Sequence, residues 1–349
     1  MKICFITATL AGGGAERVIA NLANEMILRG HQVTILLTAE KVVEYPLNER
    51  VDIIQVSDRT SHGIKERIKR IGNLRKYFKA HTDFYYISMP TDTNIFVLLA
   101  SIFLKIDLVI SERNDPNQYE HPIIRNILYC FAKKIVFQTK DASLCFSKRL
   151  QKQGKIILNP VSELLPIPYI GTREKRIVAI GRLDEQKNHR LLINAFSSFL
   201  QVNPEYKLDI YGRGPLQEDL MNQIREMDLE EKVYLRGFCK DVWAEASSAM
   251  MYVLPSDYEG MPNSLLEAMA MGMAVISTDC PIGGASMLIE HQVNGLLVPV
   301  KDNRKLYEAM CFLVNNPDVV DSYSKEATKT RERLSVKRIC DQWLDYILE

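Results

Sequence analysis

Short apolar runs alternate with helical patterns along most of this 349-residue chain, and this alternation constrains the fold more than any other feature. The chain opens with the apolar run Lys2–Thr7, a run of glycines, a helical pattern with Val18, Leu22 and Met26 on one face, and a second apolar run at 33–37. This order predicts a parallel sheet covered by helices on both faces. Further strands are predicted at 84–87, 108–110, 134–138, 176–180, 207–211, 233–235, 251–254, 274–277 and 296–298.

A proline-rich segment divides this pattern in two. The chain is too long for one comfortable hydrophobic core, and residues 159–168 are irregular and rich in proline, which is typical of a domain linker. We therefore predict two doubly wound, Rossmann-like α/β domains, 1–160 and 161–332, that face a central cleft at the carboxyl ends of their strands. The last helical pattern, about 333–349, is expected to pack back on the first domain.

The composition excludes several classes of protein. The formal net charge is +1 at pH 7, so the chain has no overall attraction for nucleic acid. Its seven cysteines are scattered, which indicates reduced cytosolic thiols rather than a disulfide framework or a zinc site. The first residues lack a signal-peptide pattern, and the most apolar window, 95–104, is about half of the roughly 20 residues that span a bilayer. We expect a cytoplasmic protein, with peripheral contact to the inner face of the plasma membrane as a further expectation.

Two cations follow a predicted strand in the segment GRLDEQKN, residues 181–188. Arg182 and Lys187 lie just before a helical pattern, whose N-terminal N–H groups and dipole favour an anion. A planar guanidinium and a compact ammonium together suit a diphosphate. The alternative is a loop with two solvated cations, and the segment by itself leaves both interpretations open.

A second candidate loop, DYEGMPNSLLE at residues 257–267, also follows a predicted strand. Gly260 and Pro262 shape a turn ahead of a helical pattern, where the carboxylate of Glu259 can accept hydrogen bonds from sugar hydroxyls. Ser264 and Glu267 have the spacing of a capping box, in which Glu267 would only bond back to the start of the helix. No such structural explanation applies to Glu259.

The glycine turn GGGAER, residues 12–17, is similar to a dinucleotide-binding fingerprint but has Arg17 where the last glycine would stand. A nicotinamide-binding site, and with it a dehydrogenase, is therefore disfavoured. A turn that lets a phosphate or an acceptor approach the backbone at Gly13 and Gly14 stays open.

A basic stretch in the first half carries apolar residues at helical spacing, among them Ile64, Ile68 and Leu74. Such a helix can lie on an anionic membrane surface or hold a phosphorylated lipid, and it can equally be a solvated helix face. Its cations are Lys65, Arg67, Lys69, Arg70, Arg75, Lys76 and Lys79.

Three segments of the second half, GRLDEQKN, DYEGMPNSLLEAMAMGMAVISTDCPIGG and NGLLVPV, closely resemble the motifs of family 4 glycosyltransferases, retaining enzymes with the GT-B fold. In the first half, ITATLAGGGAERV and SERNDP resemble bacterial members that build capsule, O-antigen or other surface polysaccharides on lipid-diphosphate carriers. The resemblance covers nearly the whole chain. It implies transfer of a hexose or N-acetylhexosamine, with retention, from a UDP-sugar donor to a polyprenyl-diphosphate-linked glycan.

The same resemblance implies roles for individual residues. Arg182 and Lys187 would bind the donor diphosphate, Glu259 the donor sugar, and Glu267 the ribose hydroxyls. The base would lie near the end of a further strand, and the two turns would offer backbone amides to sugar and phosphate. The residues near the base would be Arg236, Gly237 and Phe238. Those of the two turns would be Gly260, Met261, Pro262, Asn263, Ser264, Leu265, Gly13 and Gly14. No metal and no cofactor is expected, in keeping with the lack of an acidic pair at a strand end.

Two positions depart from the family pattern. Arg113 stands in SERNDP where many members have a histidine that positions the reacting sugar. Met287 stands where many have a glutamate, and a thioether cannot make the hydrogen bonds of a carboxylate. Two other functions stay open: a non-catalytic assembly subunit that binds a nucleotide sugar, and a sugar-nucleotide 2-epimerase of the same architecture, although the acid–base pattern of an epimerase is not evident.

Overall fold

The computed structural model describes residues 1–57 and 63–349, and it divides into two compact units. The first comprises Met1–Pro160 with Val336–Glu349, and the second comprises Val161–Ser335. Each unit contains one sheet in which every neighbouring pair of strands is parallel, with helices between the strands. The predicted fold class, two Rossmann-like parallel sheets, is confirmed.

The first sheet has seven strands in the order 3-2-1-4-5-6-7. Because the order reverses between the first and fourth strands, the loops that follow them diverge and leave a crevice at their carboxyl ends. The strands are β1 (Lys2–Thr7), β2 (Gln32–Leu37), β3 (Asp52–Gln55), β4 (Phe84–Ser88), β5 (Asp107–Ser111), β6 (Lys134–Phe137) and β7 (Gly154–Ile156).

The connecting helices of the first unit are α1 (Gly14–Leu28), α2 (Ile64–Ala80), α3 (Thr91–Ser101), α4 (Pro122–Tyr129), α5 (Lys140–Leu144) and α6 (Lys148–Lys152). Right-handed crossovers that advance from β3 through β6 place α2, α3 and α4 on one face of the sheet. Side chains from these three helices share one hydrophobic core, for example Phe78, Leu98 and Leu128.

Two edge strands, β3 and β7, were not expected from the sequence. Both are short, and their side chains are largely partly buried or exposed instead of forming a continuous apolar run. An edge strand pairs on one side only and needs less burial, so its sequence carries a weaker pattern.

The basic stretch forms the single helix α2, but its apolar positions differ from a simple core-facing stripe. Leu74 and Phe78 are buried, whereas Ile64 and Ile68 are 75% and 64% exposed. Arg75 donates hydrogen bonds to the carbonyl oxygens of Ala100 at 2.9 Å and Ile102 at 2.7 Å, so it satisfies the last turn of α3.

The other cations of α2 fall into two groups, one packed against α3 and one exposed on the surface. The Arg70 guanidinium lies 4.8 Å from the centroid of the Phe96 ring on α3, so it too is engaged in packing. The remaining five are exposed, and they are Lys65, Arg67, Lys69, Lys76 and Lys79. Among the residues that the structure describes, no helix is both long enough and apolar enough to cross a membrane.

The second sheet has six strands in the order 3-2-1-4-5-6 of its own strands, with the reversal between the first and the fourth. The strands are β8 (Glu174–Ile180), β9 (Lys207–Tyr211), β10 (Val233–Gly237), β11 (Ala249–Leu254), β12 (Ala274–Thr278) and β13 (Leu296–Val298). The helices are α7 (His189–Leu200), α8 (Gln217–Glu226), α9 (Val242–Ala246), α10 (Asn263–Ala270), α11 (Asn303–Asn315), α12 (Pro317–Thr328) and α13 (Thr330–Arg333).

The last helix, α14 (Val336–Leu348), belongs to the first unit and packs against α1. Arg29 forms an ion pair with Asp341 and donates to the carbonyl oxygen of Lys337 at 2.9 Å. Tyr346 donates to the carbonyl oxygen of Gln153 at 2.6 Å, and Trp343 is fully buried. The helix therefore completes the hydrophobic layer of the first unit.

Replacement of the central tryptophan tests the contribution of α14 to the first unit. We expect Trp343→Ala to lower the free energy of unfolding of this unit by about 3–5 kcal/mol, because a large buried ring leaves a cavity. Hydrogen exchange of the amides in β1 and β2 measures this unit separately from the other. Leu348→Ala on the same helix is the control: its side chain is 59% exposed, so a change within about 0.5 kcal/mol is expected. An equal effect of both variants would contradict the packing described.

Candidate functional site

The strongest candidate site lies at the strand-order reversal of the second sheet, where β8 and β11 are neighbours. The loop after β8 runs into a short 3-10 turn, Glu185–Lys187, and then into α7. The loop after β11 leads to α10. Open parallel sheets bind ligands at such a reversal, beyond the carboxyl ends of the strands.

Glycines let the loops around this point come into backbone contact. At Gly212, φ is +148°, and a Cβ atom would lie 1.8 Å from the carbonyl oxygen of Gly181. At Gly284, a Cβ atom would lie 1.6 Å from the carbonyl oxygen of Gly260. No side chain is tolerated at either place without movement of a neighbouring loop, so glycine at both positions is what permits the loops after β8 and β11 to lie where they do.

A buried ion pair joins the two loops. The Lys187 Nζ atom donates to Glu259 Oε1 at 2.5 Å, and the side chains of the two residues are only 14% and 7% exposed. Ser256 donates to the same carboxylate oxygen at 2.7 Å, and Gln186 Nε2 lies 3.4 Å from the other oxygen. The structure therefore brings Lys187 and Glu259 together, and it adds Ser256 and Gln186 as partners that sequence analysis did not assign.

Arg182 occupies a different environment from Lys187. Its side chain is 71% exposed, and its Nη2 atom lies 2.9 Å from Asp184 Oδ2 and 3.2 Å from Gln186 Oε1. An exposed pair of this kind contributes little to stability, so the guanidinium can exchange its partner at small cost. Gln186 contacts both Arg182 and Glu259 and thus connects the cation of the first loop with the carboxylate of the second.

Two further titratable groups are buried around the ion pair. Burial, together with the positive charge of Lys187, lowers the pKa of His189 to about 4, so this imidazole is neutral near pH 7. Burial raises the pKa of the Cys280 thiol to about 12, and the negative charge of Glu259 acts in the same direction. Both groups are therefore uncharged near pH 7. Across the residues described, no group of three or more His, Cys, Asp and Glu side chains could hold a metal ion.

The start of α10 differs from the capping-box interpretation. Asn263 is the first helical residue and Pro262 takes the N-cap position without a side-chain cap bond, so Ser264 lies inside the helix. Its hydroxyl accepts a hydrogen bond from Tyr252 at 2.7 Å. Glu267 is buried and accepts from Trp243 Nε1 at 2.7 Å. The capping-box alternative for Glu267 is therefore wrong, because the helix begins one residue before Ser264.

The other residues of this turn have mostly buried side chains. Gly260, Met261, Pro262 and Leu265 are buried, and Asn263 is half-buried. The side chains of Met261, Pro262 and Leu265 therefore pack inside the second unit.

The region expected near the nucleobase lies at the end of β10, two strands away from β8. Arg236 Nε donates to Asp209 Oδ1 at 2.8 Å, and Arg176 Nη1 holds the other oxygen of this buried aspartate at 3.0 Å. Gly237 has φ +71°, and Phe238 is 58% exposed. Arg236 thus has a structural partner, whereas Phe238 presents an exposed ring.

In the first unit, the glycine turn leads directly into α1, with Gly13 as its N-cap residue. The carboxylate of Glu16 folds back over this end: a Cβ atom at Gly13 would lie 2.0 Å from Glu16 Oε2. Burial raises the pKa of Glu16, while Arg113 partly offsets the effect. Gly14 is exposed, so an anion approaching this helix end meets the Glu16 carboxylate beside Gly13.

Arg113, where many family members have histidine, is buried in the first unit. Its Nη2 atom donates to Asn159 Oδ1 at 2.6 Å, and its Nε atom has no hydrogen-bond partner among the described residues. Burial lowers the pKa of this guanidinium to about 10, opposed by the charges of Glu16 and Glu112. Met287, the other departure, is about one-third exposed.

Breaking the ion pair tests whether it holds the two loops of the second unit. We expect Lys187→Met to lower the free energy of unfolding by about 3–5 kcal/mol, because it leaves the Glu259 carboxylate buried without its cation. The double variant Lys187→Met/Glu259→Gln should recover much of this loss, as measured by urea unfolding. Arg182→Ala, which removes an exposed side chain, is the control and should change stability by less than about 0.5 kcal/mol. A single variant as stable as the wild type would contradict the pairing.

Comparison with known proteins identifies the family. The profile of the family "Glycosyl transferases group 1" matches residues 174–316, which contain the whole candidate site of the second unit. A Campylobacter jejuni protein, GalNAc-alpha-(1->4)-GalNAc-alpha-(1->3)-diNAcBac-PP-undecaprenol alpha-1,4-N-acetyl-D-galactosaminyltransferase, is 30% identical over 100% of this chain and 99% of its own length.

Two further proteins are similar to this chain over nearly its whole length. A second C. jejuni protein, N-acetylgalactosamine-N,N'-diacetylbacillosaminyl-diphospho-undecaprenol 4-alpha-N-acetylgalactosaminyltransferase, is 27% identical over 99% of both chains. The crystal structure of Anabaena Alr3699/HepE in complex with UDP and glucose has a TM-score of 0.86 at 19% identity, covers 100% of both chains and shares the fold. Since the likeness to the first C. jejuni enzyme runs from one end of the chain to the other, this protein belongs to the group 1 glycosyltransferases, the family 4 type with the GT-B fold.

Proposed function

We propose that this chain is a retaining glycosyltransferase that moves a hexose or N-acetylhexosamine from a UDP-sugar to a glycan carried on a polyprenyl diphosphate, in capsule, O-antigen or exopolysaccharide synthesis. The observation that carries the proposal is the Lys187–Glu259 pair beside the exposed Arg182 at the strand-order reversal of the second sheet. The names of two relatives support the acceptor class, since both act on undecaprenol-linked glycans. The bound UDP and glucose of the Anabaena protein support the donor class.

The two cations would neutralise the diphosphate that leaves the sugar. Arg182 is exposed and only weakly held by Asp184, so its planar guanidinium can turn to the phosphate oxygens. Lys187 has three N–H donors and uses one on Glu259, so its ammonium can donate to a phosphate while the pair stays intact. Positive charge placed where negative charge grows lowers the barrier to departure.

Glu259 would orient the donor sugar. A carboxylate has about four acceptor positions, and Lys187, Ser256 and Gln186 take three of them. The remaining acceptor position suits a sugar hydroxyl, and the buried contacts hold the carboxylate in one orientation. We assign no nucleophile to this group: with retention, a donor phosphate oxygen takes the proton of the acceptor, and the protein supplies position and charge.

The rest of the donor would lie along the same edge of the sheet. We propose that Glu267, oriented by Trp243, contacts the ribose hydroxyls, and that the base stacks near Phe238 at the end of β10. The backbone from Gly260 to Leu265 would face the sugar and the phosphates, and Gly13 and Gly14, at the start of α1, would offer backbone amides to a phosphate. In this proposal the reaction uses neither a metal nor a cofactor.

The acceptor would be reached at the inner face of the plasma membrane. The five exposed cations of α2, Lys65, Arg67, Lys69, Lys76 and Lys79, form a basic surface on the first unit. Such a surface attracts anionic headgroups and phosphorylated lipids with an energy that falls as salt is added. We therefore propose a peripheral membrane protein that takes a lipid-linked substrate.

Removal of the exposed guanidinium tests the diphosphate site. We expect Arg182→Ala to keep the fold but to lower kcat by about 100-fold or more, comparable with the loss of one donor to a transition-state charge. Turnover would be measured with labelled UDP-sugar and a prenyl-diphosphate-linked acceptor. Arg190→Ala is a matched control, because this nearby arginine pairs with Asp219 on the surface and should leave kcat unchanged. Wild-type turnover in the Arg182 variant would contradict the assignment.

A panel of donors tests the reaction itself. We expect one UDP-sugar to be transferred to the lipid-linked acceptor with the anomeric configuration of the donor, because in the proposed mechanism the diphosphate leaves and the acceptor attacks on the same face of the sugar. Mass spectrometry identifies the sugar transferred, and NMR gives the configuration of the new bond. Addition of EDTA should leave the rate unchanged. Binding of UDP-sugar without transfer would indicate an assembly subunit, and release of an epimerised sugar nucleotide would indicate an epimerase.

A further inference from the structure

An apolar face on α4 takes no part in the proposed chemistry. Ile123, Ile124 and Ile127 are 74%, 55% and 58% exposed, and Phe131, just after the helix, is 59% exposed. At about 100° per residue the three isoleucines lie within about 100° of arc, so they form one face of the helix. Contiguous large apolar side chains on a surface indicate an interaction site.

Helix α4 buries a charged side chain and exposes apolar ones, which is the reverse of the usual preference. Arg125 is 2% exposed, although arginine is almost never buried unless it is paired, while three isoleucines of the same helix face outward. Its guanidinium donates to the carbonyl oxygen of Pro116 at 2.5 Å and lies 4.6 Å from the centroid of the Phe146 ring. These inward contacts fix the rotation of α4, so the exposure of the isoleucines is part of the fold.

A basic helix lies on the same side of the sheet as this face. α4 shares its side of the sheet with α3 and α2, and α2 presents its five exposed cations together with Ile64 and Ile68 on the outside. In the turn after α3, Phe103 is 95% exposed. Apolar side chains beside lysines and arginines on one surface match the two layers of an anionic membrane interface, acyl chains below and negative headgroups above.

We propose that this side of the first unit docks on an anionic bilayer, with the isoleucine face of α4 inserted at the boundary of the acyl chains and the cations of α2 among the headgroups. The inference deepens the proposed function, because it supplies the contact through which a lipid-linked acceptor is reached. Charge complementarity favours a bilayer over a second copy of the chain. Two copies joined by this face would bring two basic helices towards each other, and like charges repel.

The test compares vesicle binding of the full chain and its variants. In flotation with phosphatidylcholine vesicles that contain phosphatidylglycerol, we expect Ile123→Ser/Ile127→Ser to lower the partition coefficient by about tenfold or more, from the apolar area no longer buried. This loss should persist at high salt. Lys65→Ala/Lys69→Ala/Lys76→Ala should instead weaken binding at low salt only, because salt screens the contribution of the cations.

A matched control and a depth measurement make the outcome specific. Ile167→Ser/Ile170→Ser removes two isoleucines that are 78% and 90% exposed on the second unit, and it should leave vesicle binding unchanged. Ile127→Trp should be quenched by lipids brominated on their acyl chains, whereas Ile170→Trp should not. The native Trp243 and Trp343 are buried, so they contribute little to this quenching.

Equal binding of the wild type and Ile123→Ser/Ile127→Ser, or no quenching of Ile127→Trp, would overturn the proposal. So would a wild-type dimer in sedimentation equilibrium that the same double variant dissociates, since the face would then join two copies. Transfer to a short-chain, water-soluble acceptor should be the same in the double variant and in the wild type. If the wild type transferred no sugar to either acceptor, the proposed function would fail while the vesicle result would still decide the membrane proposal.

Discussion

The buried pair of Lys187 and Glu259 is the interaction on which the candidate site of the second unit depends. Each charge would be costly to bury alone, and the two residues stand in the loops that follow the neighbouring strands β8 and β11. The pair therefore joins the two loops. Gly212 and Gly284 allow the same loops to approach by removing the Cβ atoms that would collide with backbone oxygens.

In the proposed function, two cations that are only a few residues apart would have different roles. Lys187 is largely buried and holds Glu259 in place, so it combines a structural contact with donors that can reach a ligand. Arg182 is exposed and contributes little to the fold. If this site binds and releases a diphosphate as proposed, the buried charge would stay in place while the exposed guanidinium could turn towards the ligand.

The first unit shows how burial of one polar side chain can determine a surface. Arg125 turns inward to a backbone carbonyl and an aromatic ring, and as a consequence the isoleucines of α4 face outward. Arg70 and Arg75 of α2 likewise turn towards α3, which leaves the outer cations of that helix to define its charge. Counting apolar or basic residues along either helix gives no hint of this division, since it depends on what each side chain meets in space.

Periodicity and turn residues in the sequence were sufficient for the fold class, because a buried parallel strand and an amphipathic helix each need a repeating apolar pattern. The motifs around Arg182 and Glu259 were likewise visible as cations and a carboxylate that follow strands. The short edge strands β3 and β7 were missed, since pairing on one side imposes a weaker pattern. The capping-box interpretation needed Ser264 as the N-cap residue, whereas the N-cap is Pro262, two residues earlier, so Ser264 lies inside the helix.

The sequence by itself thus determined the two parallel sheets, the positions of the motifs along the chain and the family to which the protein belongs. The tertiary structure alone decided which charges are paired and which are exposed. Lys187 meets Glu259 across 72 residues of chain, and Arg125 is buried while Ile123 is exposed. The physical reason is that pairing and burial depend on the register of neighbouring strands and the rotation of each helix, and both are set by contacts between residues far apart in the sequence.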